Sequence, residues 1–155
     1  MDPAQQAVTE LFIAVDSRDW IRLEEIFAPE VLLDYQSLSG NPPTTLTPQQ
    51  IGGAWKSMLP GFTHTHHQVG NFIVQPVGDD GNTVHVFCYG TATHYLEHPE
   101  GNVWTVVGTY DFKVRRNTTV WQVAEMKFNF RYQDGNTALS KMAQEAVAQK
   151  APTTN

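Results

Sequence analysis

Three of the chain's six histidines lie within positions 64–67. Histidine titrates near neutral pH, so it can take a proton from a substrate and later return one, and it can also bind a metal. Alternate residues of an extended strand face opposite sides, which places His64 and His66 on one face and His67 on the other. Apolar residues occur on both faces further along the segment, so alternation alone leaves open which histidine faces inward.

The spacing of His64 and His66 is one that metal ligands use on a strand. A zinc site needs a third ligand and hydrogen-bonded partners around its ligands. His85 or His98 supplies the third ligand only if the strands align. The single cysteine, Cys88, excludes a site built on several thiolates. We favour an outward polar edge for His64 and His66, and we predict neither a metal nor an organic cofactor.

Three further residues have the types needed for acid–base chemistry. His94 lies on the apolar face of a predicted strand, 83–97, and Tyr35 on that of an earlier one, 31–37, while Asp16 follows the first predicted helix. Taken alone, His94 is typical of a core histidine and Tyr35 of a core tyrosine. Asp16 alone is typical of a helix-cap or turn residue. In general, a histidine can act as a base, a carboxylate can orient it, and a tyrosine hydroxyl can stabilise an oxyanion.

The elements that position these residues run from helices to long strands. Cap signals and helical spacing predict helices starting near Asp2 and Thr47, with a short helix between them. Four alternating segments separated by turn residues predict an antiparallel meander: 65–77, 83–97, 103–116 and 120–133. We predict an α+β fold whose N-terminal helices pack on a strongly curved antiparallel sheet that forms a conical pocket, with a C-terminal helix over 139–147 as a candidate lid. The predicted inward face of the last strand includes Val120, Phe128, Phe130 and Tyr132.

The composition excludes several classes of function. A net charge of −6 does not suit a phosphate backbone, and we predict no nucleic-acid partner. No stretch approaches the roughly 18 apolar residues of a membrane span, and residues 1–20 lack the pattern of a signal peptide. We expect a cytoplasmic protein without membrane contact, and at 155 residues a single domain whose tail frays from about residue 150.

The segment AVDSRDWIRLEEIFAPEVLLDYQSL, residues 14–38, resembles the N-terminal block of scytalone dehydratase, in the SnoaL-like branch of the nuclear transport factor 2-like fold. The resemblance continues to about Arg131 through the short anchors THHQVGN and TATHYLE. It implies one SnoaL-like domain over residues 1–155, and assembly as a dimer or trimer.

The resemblance also implies a set of catalytic residues. The family's catalytic aspartate falls on Asp16, one of its two active-site tyrosines on Tyr35, and its two catalytic histidines on His67 and His94. In the family the tyrosine pair is understood to hold a water against the substrate carbonyl. Val15 replaces the second tyrosine here, and we therefore expect a substrate other than scytalone.

We expect the ligand to be a small molecule, bound in the pocket among residues that the strand pattern and the resemblance place inward. Tyr110 lies near the place of the family's pocket asparagine, and the inward aromatic residues suit a flat aromatic or polyketide ligand. The expected substrate-binding residues are Val15, Leu38, Val69, Asn71, Tyr110, Phe128 and Phe130.

Three functions fit these residues. The first is a cofactor-independent lyase that dehydrates a hydroxylated cyclic ketone or polyketide-type molecule, with His67 or His94 as base and acid, Asp16 orienting the base, and Tyr35 polarising the carbonyl. The second is an isomerase or cyclase using the same enolate chemistry, and the third is a binding module without catalysis. The sheet's outer face carries large apolar residues, which favours a homo-oligomer: Phe87, Tyr89 and Tyr95.

Overall fold

The computed structural model describes residues 1–150. The predicted frayed tail lies outside the described residues. The described helices are α1 (Pro3–Ser17), α2 (Trp20–Ile26), α3 (Gln36–Ser39), α4 (Pro48–Lys56) and α5 (Leu139–Lys150), with a 3-10 turn at Leu59–Gly61. The strands are β1 (Phe27–Asp34), β2 (Thr44–Leu46), β3 (His64–Pro76), β4 (Thr83–Tyr95), β5 (Val103–Asn117) and β6 (Val120–Gly135). None of the described helices is both long and apolar enough to span a membrane.

The six strands form one open sheet in the order β2-β1-β6-β5-β4-β3. Strands β3 to β6 pair antiparallel, as the meander pattern predicts. Strand β1 departs from that pattern because it pairs parallel with β6. Strand β2 is a short edge strand that pairs antiparallel with β1. The α+β fold, with helices packed on a curved sheet, is confirmed.

The two predicted helix starts are confirmed. Asp2 caps α1, and its carboxylate accepts from the backbone N–H of Ala4 at 2.8 Å. Thr47 and Gln50 form a reciprocal capping box at the start of α4. Helix α1 then buries an apolar stripe in the core, and this packing brings its C-terminal end to β3: Val8, Leu11, Phe12 and Val15.

A β-bulge in strand β3 determines which side of the strand is buried. The pairing with β4 shifts between residues 70 and 73, and Asn71 has a φ of +54° there. One extra residue reverses the alternation of faces. The less exposed residues are therefore odd-numbered before the bulge and even-numbered after it: Thr65, His67 and Val69, then Phe72 and Val74. This reversal explains why apolar residues occur at both parities in the sequence.

Strand β6 contains two such irregularities, opposite residues 107–108 and 113–114 of β5. Simple alternation therefore misplaces both ends of the strand. Val120 is 55% exposed and Tyr132 is 58% exposed, so their predicted inward orientation is wrong. Phe128 lies between the two irregularities and is buried, as predicted.

Helix α5 buries the predicted apolar side against the 3-10 turn. A Cβ atom at Gly61 would lie 2.0 Å from the backbone oxygen of Ala143, so the helix approaches this closely only because residue 61 is glycine. None of its described residues lines the cavity, whereas Leu59 of the turn does. In contrast to the predicted lid, α5 supports a segment of the cavity wall.

Candidate active site

A cavity of about 260 Å³ lies between the helices and the concave face of the sheet. Its lining is mostly apolar: Phe12, Val15, Leu38, Trp55, Met58, Leu59, Ala92, Trp104, Val106, Met126 and Phe128. Five polar side chains interrupt this surface: Tyr35, Ser39, His67, His94 and Tyr110. Among the described residues, no lysine, arginine, aspartate or glutamate lines the cavity, so the site suits an uncharged ligand.

His67 and Asp16 form a hydrogen-bonded pair at the wall of this cavity. The Nδ1 atom of His67 lies 2.7 Å from Oδ1 of Asp16. The backbone N–H of His67 donates to Oδ2 of the same carboxylate at 2.7 Å, and the hydroxyl of Thr65 donates to Oδ1 at 3.0 Å. The carboxylate thus fixes both the strand backbone and the imidazole ring, as expected for an orienting residue.

The carboxylate also determines which nitrogen of His67 carries the proton. Burial raises the pKa of Asp16, but the hydrogen bonds and charge of His67, with the bond from Thr65, together outweigh burial and hold that pKa below its usual value. Asp16 is therefore ionised at neutral pH and can only accept hydrogen bonds. In neutral His67, the hydrogen then lies on Nδ1, and Nε2 has a free lone pair. This is the arrangement of a general base held by a carboxylate.

His94 is buried at 5% exposure in an aromatic environment. Its ring centroid lies 4.3 Å from that of Trp104 and 4.9 Å from that of Phe62. The Nδ1 atom lies 3.0 Å from the backbone oxygen of Trp104, which can only accept, so Nδ1 carries the hydrogen and Nε2 is an acceptor. Burial lowers the pKa of His94 to about 4, despite the opposing effect of this hydrogen bond. His94 is therefore neutral at pH 7.

The two histidines are neighbours with different partners. Their ring centroids are 6.2 Å apart, with the planes nearly perpendicular. Asp16 makes hydrogen bonds to His67, whereas the partner of His94 is a backbone carbonyl. Of the two, only His67 has the carboxylate that stabilises an imidazolium ion.

Two tyrosines line the same cavity. Tyr35 enters from the turn that follows β1, and Tyr110 enters from β5. Burial raises the pKa of both phenols, and the two side chains also influence each other's pKa. Both hydroxyl groups therefore keep their protons at neutral pH and can donate hydrogen bonds.

The structure separates the expected substrate-binding residues into two groups. Val15, Leu38, Tyr110 and Phe128 line the cavity. The structure places the other three outside the lining of this cavity: Val69, Asn71 and Phe130. Asn71 is exposed because it lies in the β3 bulge, while the other two pack against the edge of the core.

Several residues that the sequence analysis passed over contribute to the site. Thr65 hydrogen-bonds Asp16, and Phe12 stacks on His67 with ring centroids 5.2 Å apart. Trp104 provides both a stacking partner and a carbonyl acceptor for His94. The only sequence signal for Thr65 was its shared parity with His67, which became useful only once the inward side was known.

The remaining histidines of the cluster do not join the site. His64 and His66 are exposed on the outer face of β3. Residues 1–150 contain no group of three or more histidine, cysteine, aspartate or glutamate side chains that could hold a metal ion.

Helices packed on a curved open sheet, with a cavity between them, define an architecture of the nuclear transport factor 2-like type. The family model for the SnoaL-like domain matches residues 2–127. The protein therefore belongs to the SnoaL-like family. No curated protein matches it in sequence.

Solved structures of similar fold include the Kfla4162 protein from Kribbella flavida, with a TM-score of 0.82 and 22% identity, over 90% of this chain and 95% of that one. A candidate scytalone dehydratase from Novosphingobium aromaticivorans has a TM-score of 0.72 at 14% identity, over 86% and 85%. Hexachlorocyclohexane dehydrochlorinase LinA-type3 from Novosphingobium barchaimii has a TM-score of 0.70 at 16% identity, over 87% and 88%. At these identities the likeness concerns the fold.

Proposed function

We propose that the cavity is the active site of a cofactor-independent lyase that removes water from an uncharged, hydroxylated cyclic ketone. The observation that carries this proposal is the 2.7 Å contact between Asp16 and His67 at the wall of an apolar cavity that also contains two protonated tyrosine hydroxyls. A base, a group that stabilises an enolate and a site that excludes water are the requirements of this reaction.

In the proposed reaction, His67 serves as base and then as acid. Its Nε2 accepts the proton from the carbon next to the carbonyl, and the electron pair of that C–H bond forms an enolate. A tyrosine hydroxyl donates to the enolate oxygen. The imidazolium then gives its proton to the departing hydroxyl, the C–O bond breaks, and water and an enone are released. Asp16 stays ionised throughout and stabilises the imidazolium. Proton transfer by a positioned base or acid such as His67 is worth roughly 10²–10⁴-fold in rate.

His94 has a different part in this proposal. Its pKa of about 4 leaves no proton on Nε2 at neutral pH, so it cannot act as the acid. A neutral imidazole with a free lone pair suits the binding of a hydroxyl group. The choice between His67 and His94, which the sequence left open, therefore goes to His67.

The names of two structural neighbours support an elimination reaction. A scytalone dehydratase removes water and a dehydrochlorinase removes hydrogen chloride, and both names belong to proteins with this fold. An isomerase or cyclase is the second candidate, because the cavity offers one base and no separate acid for a leaving group. These activities share the first step, which is proton abstraction next to a carbonyl.

The test is a panel of uncharged cyclic ketones, with and without a β-hydroxyl group. Exchange of the α-proton in D₂O, followed by NMR, measures the shared first step, and enone absorbance measures dehydration. We expect His67→Ala to abolish both and His94→Ala to weaken binding more than exchange. Exchange without enone formation would favour the isomerase or cyclase. Wild-type rates in both variants would contradict the site, and full activity after chelation would exclude a metal requirement.

A further inference from the structure

The imidazole of His94 packs against two aromatic rings that come from different parts of the chain. Trp104 of β5 pairs with His94 across the sheet, and its indole stacks on the imidazole at a centroid distance of 4.3 Å and an interplanar angle of 26°. Phe62, which follows the 3-10 turn, contacts the imidazole at 4.9 Å. The orientation of His94 therefore depends on where these two rings lie.

The indole of Trp104 is held by a residue outside the cavity. Its Nε1 donates to Oε1 of Gln133 at 2.9 Å. Gln133 lies on β6, which adjoins β5 on the side opposite to β4 and His94, and it is exposed and absent from the cavity lining. An indole N–H can only donate, and Trp104 is 9% exposed, so this group needs an acceptor. The amide of Gln133 thus fixes the rotation of the indole.

We propose that Gln133 is a positioning residue of the active site, which fixes the imidazole of His94 from outside the cavity by holding the indole of Trp104. The role of His94 in binding a substrate hydroxyl rests on the proposed function. Trp104 holds the imidazole twice: its backbone oxygen accepts from Nδ1, and its ring covers one face of the imidazole. The hydrogen bond sets the tautomer, and the stacked indole sets the plane in which Nε2 is presented to a ligand.

Removing the amide acceptor should release the indole without changing a residue of the cavity lining. An indole N–H without a partner favours rotations of the ring that bring it to water. The face of His94 that the indole covers would then gain hydration. Burial is the main cause of the low pKa of His94, so hydration should raise that pKa from about 4 toward its ordinary value of about 6.5. His67 and Asp16 also act on this pKa, in opposite directions, and both are kept.

Solution NMR of the free protein tests this positioning without any substrate. The test variant is Gln133→Met, which keeps the length of an exposed side chain and removes its acceptor. Gln133→Glu is the conservative variant, because a carboxylate still accepts from the indole. Gln122→Met is the matched control, since Gln122 lies on the same strand and makes a hydrogen bond to the backbone oxygen of Glu25 at 3.1 Å. His94→Gln identifies the signals of His94 among those of the six histidines.

The chemical shifts of the His94 ring protons report the stacking directly. In the wild type these signals should be displaced upfield by the ring current of Trp104. We expect Gln133→Met to move them toward their positions in the unfolded chain and to raise the measured pKa of His94 above about 5. Gln122→Met should keep the wild-type signals and pKa. Gln133→Glu should keep the wild-type signals near pH 7, and the pKa comparison uses Gln133→Met because that variant adds no charge.

A second background separates positioning from a general effect on the fold. Trp104→Phe keeps an aromatic ring and removes the N–H group, so Gln133→Met should change the His94 signals no further in that background. Kinetics of a β-hydroxy ketone that is turned over then measure the consequence for binding. We expect Gln133→Met to raise KM roughly 2–10-fold, the size of one hydrogen bond, and to leave the rate of α-proton exchange at saturation within about threefold of the wild type.

The outcomes distinguish this proposal from the proposed function. Altered His94 signals in Gln133→Met, without α-proton exchange in any ketone, would support the positioning role and contradict the lyase. Wild-type signals and pKa in Gln133→Met would overturn the positioning role, as would an equal change in Gln122→Met or a further effect of Gln133→Met in the Trp104→Phe background. In an active enzyme, a wild-type KM together with altered His94 signals would overturn the contribution of Gln133 to binding.

Discussion

Replacing Asp16 by asparagine should reverse the tautomer of His67 while leaving the shape of the site intact. The carboxylate accepts from three groups, namely Nδ1 and the backbone N–H of His67 and the hydroxyl of Thr65. An amide offers only one oxygen. The backbone N–H can only donate, so the amide oxygen must face it, and the amide nitrogen then faces Nδ1. The ring nitrogen becomes an acceptor, and the imidazole hydrogen moves to Nε2, on the side of the substrate.

The expected loss of activity has two parts. A neutral amide no longer stabilises the imidazolium, and a charged hydrogen bond of this kind is worth about 1.5–3 kcal/mol, or about 10–150-fold in rate. The tautomer change adds to this, because Nε2 no longer offers a lone pair. In a serine protease the corresponding change costs about 10⁴ in kcat. We therefore expect Asp16→Asn to slow α-proton exchange by about 10²–10⁴-fold.

The assay combines kinetics with a direct observation of the ring. Exchange of the α-proton in D₂O gives the rate, and ¹H–¹⁵N correlation of imidazole-labelled protein gives the tautomer of His67. Asp111→Asn is the matched control, because His85 and Asp111 form a pair with the same 2.7 Å separation on the outer face of the sheet. The control should keep the wild-type rate. A folded Asp16→Asn variant with a rate within threefold of the wild type would refute the assignment of His67 and Asp16 as base and orienter.

Three further predictions concern other parts of the molecule. His94 has a pKa of about 4 in the folded chain and about 6.5 in the unfolded chain, so the unfolded chain binds the extra proton first as the pH falls. In denaturant titrations, the free energy of unfolding of the wild type should therefore fall by about 3 kcal/mol more than that of His94→Gln between pH 7 and pH 4. Arg18 donates to the backbone oxygens of Leu59 and Phe62 at 3.2 and 2.6 Å. In the same assay, Arg18→Met should lower the free energy of unfolding by about 1–3 kcal/mol. The control Arg22→Met removes an exposed ion pair and should lower it by less than about 1 kcal/mol. Tyr89 is 55% exposed on the outer face of the sheet, where it could join two copies of the chain. With such an interface, Tyr89→Glu should lower the mass measured by sedimentation. A monomer mass for both the wild type and Tyr89→Glu would exclude the interface.

Short-range sequence signals were enough to predict an element where one residue type has one strong structural preference. Asp2 and Thr47 cap helices because their side chains satisfy the free N–H groups of the first turn, and no distant residue is needed. The inward side of β4 and β5 also followed from alternation, because the pairing of these two strands is continuous. His94 and Tyr110 were placed correctly for this reason.

Alternation failed where a strand contains an extra residue. The bulges of β3 and β6 reverse the alternation of faces. Tyr132 is therefore exposed although alternation placed it inward, and Asn71 is exposed although the resemblance placed its side of the strand inward. Tyr35 was predicted within a strand but reaches the cavity from a turn. Pairing between strands determines these positions, and a single sequence does not display it.

The sequence by itself determined the fold class, the approximate elements and the residue types available for chemistry, because helix caps, strand alternation and turn residues act over short distances. Only the tertiary structure distinguished the two candidate histidines by their partners. Asp16 and His67 are 51 positions apart, and their contact depends on how α1 packs against β3. The two histidines have different surroundings, because His67 faces a carboxylate and His94 faces a carbonyl and two aromatic rings. Solvation and partners determine what an imidazole can do, and both are properties of the folded chain.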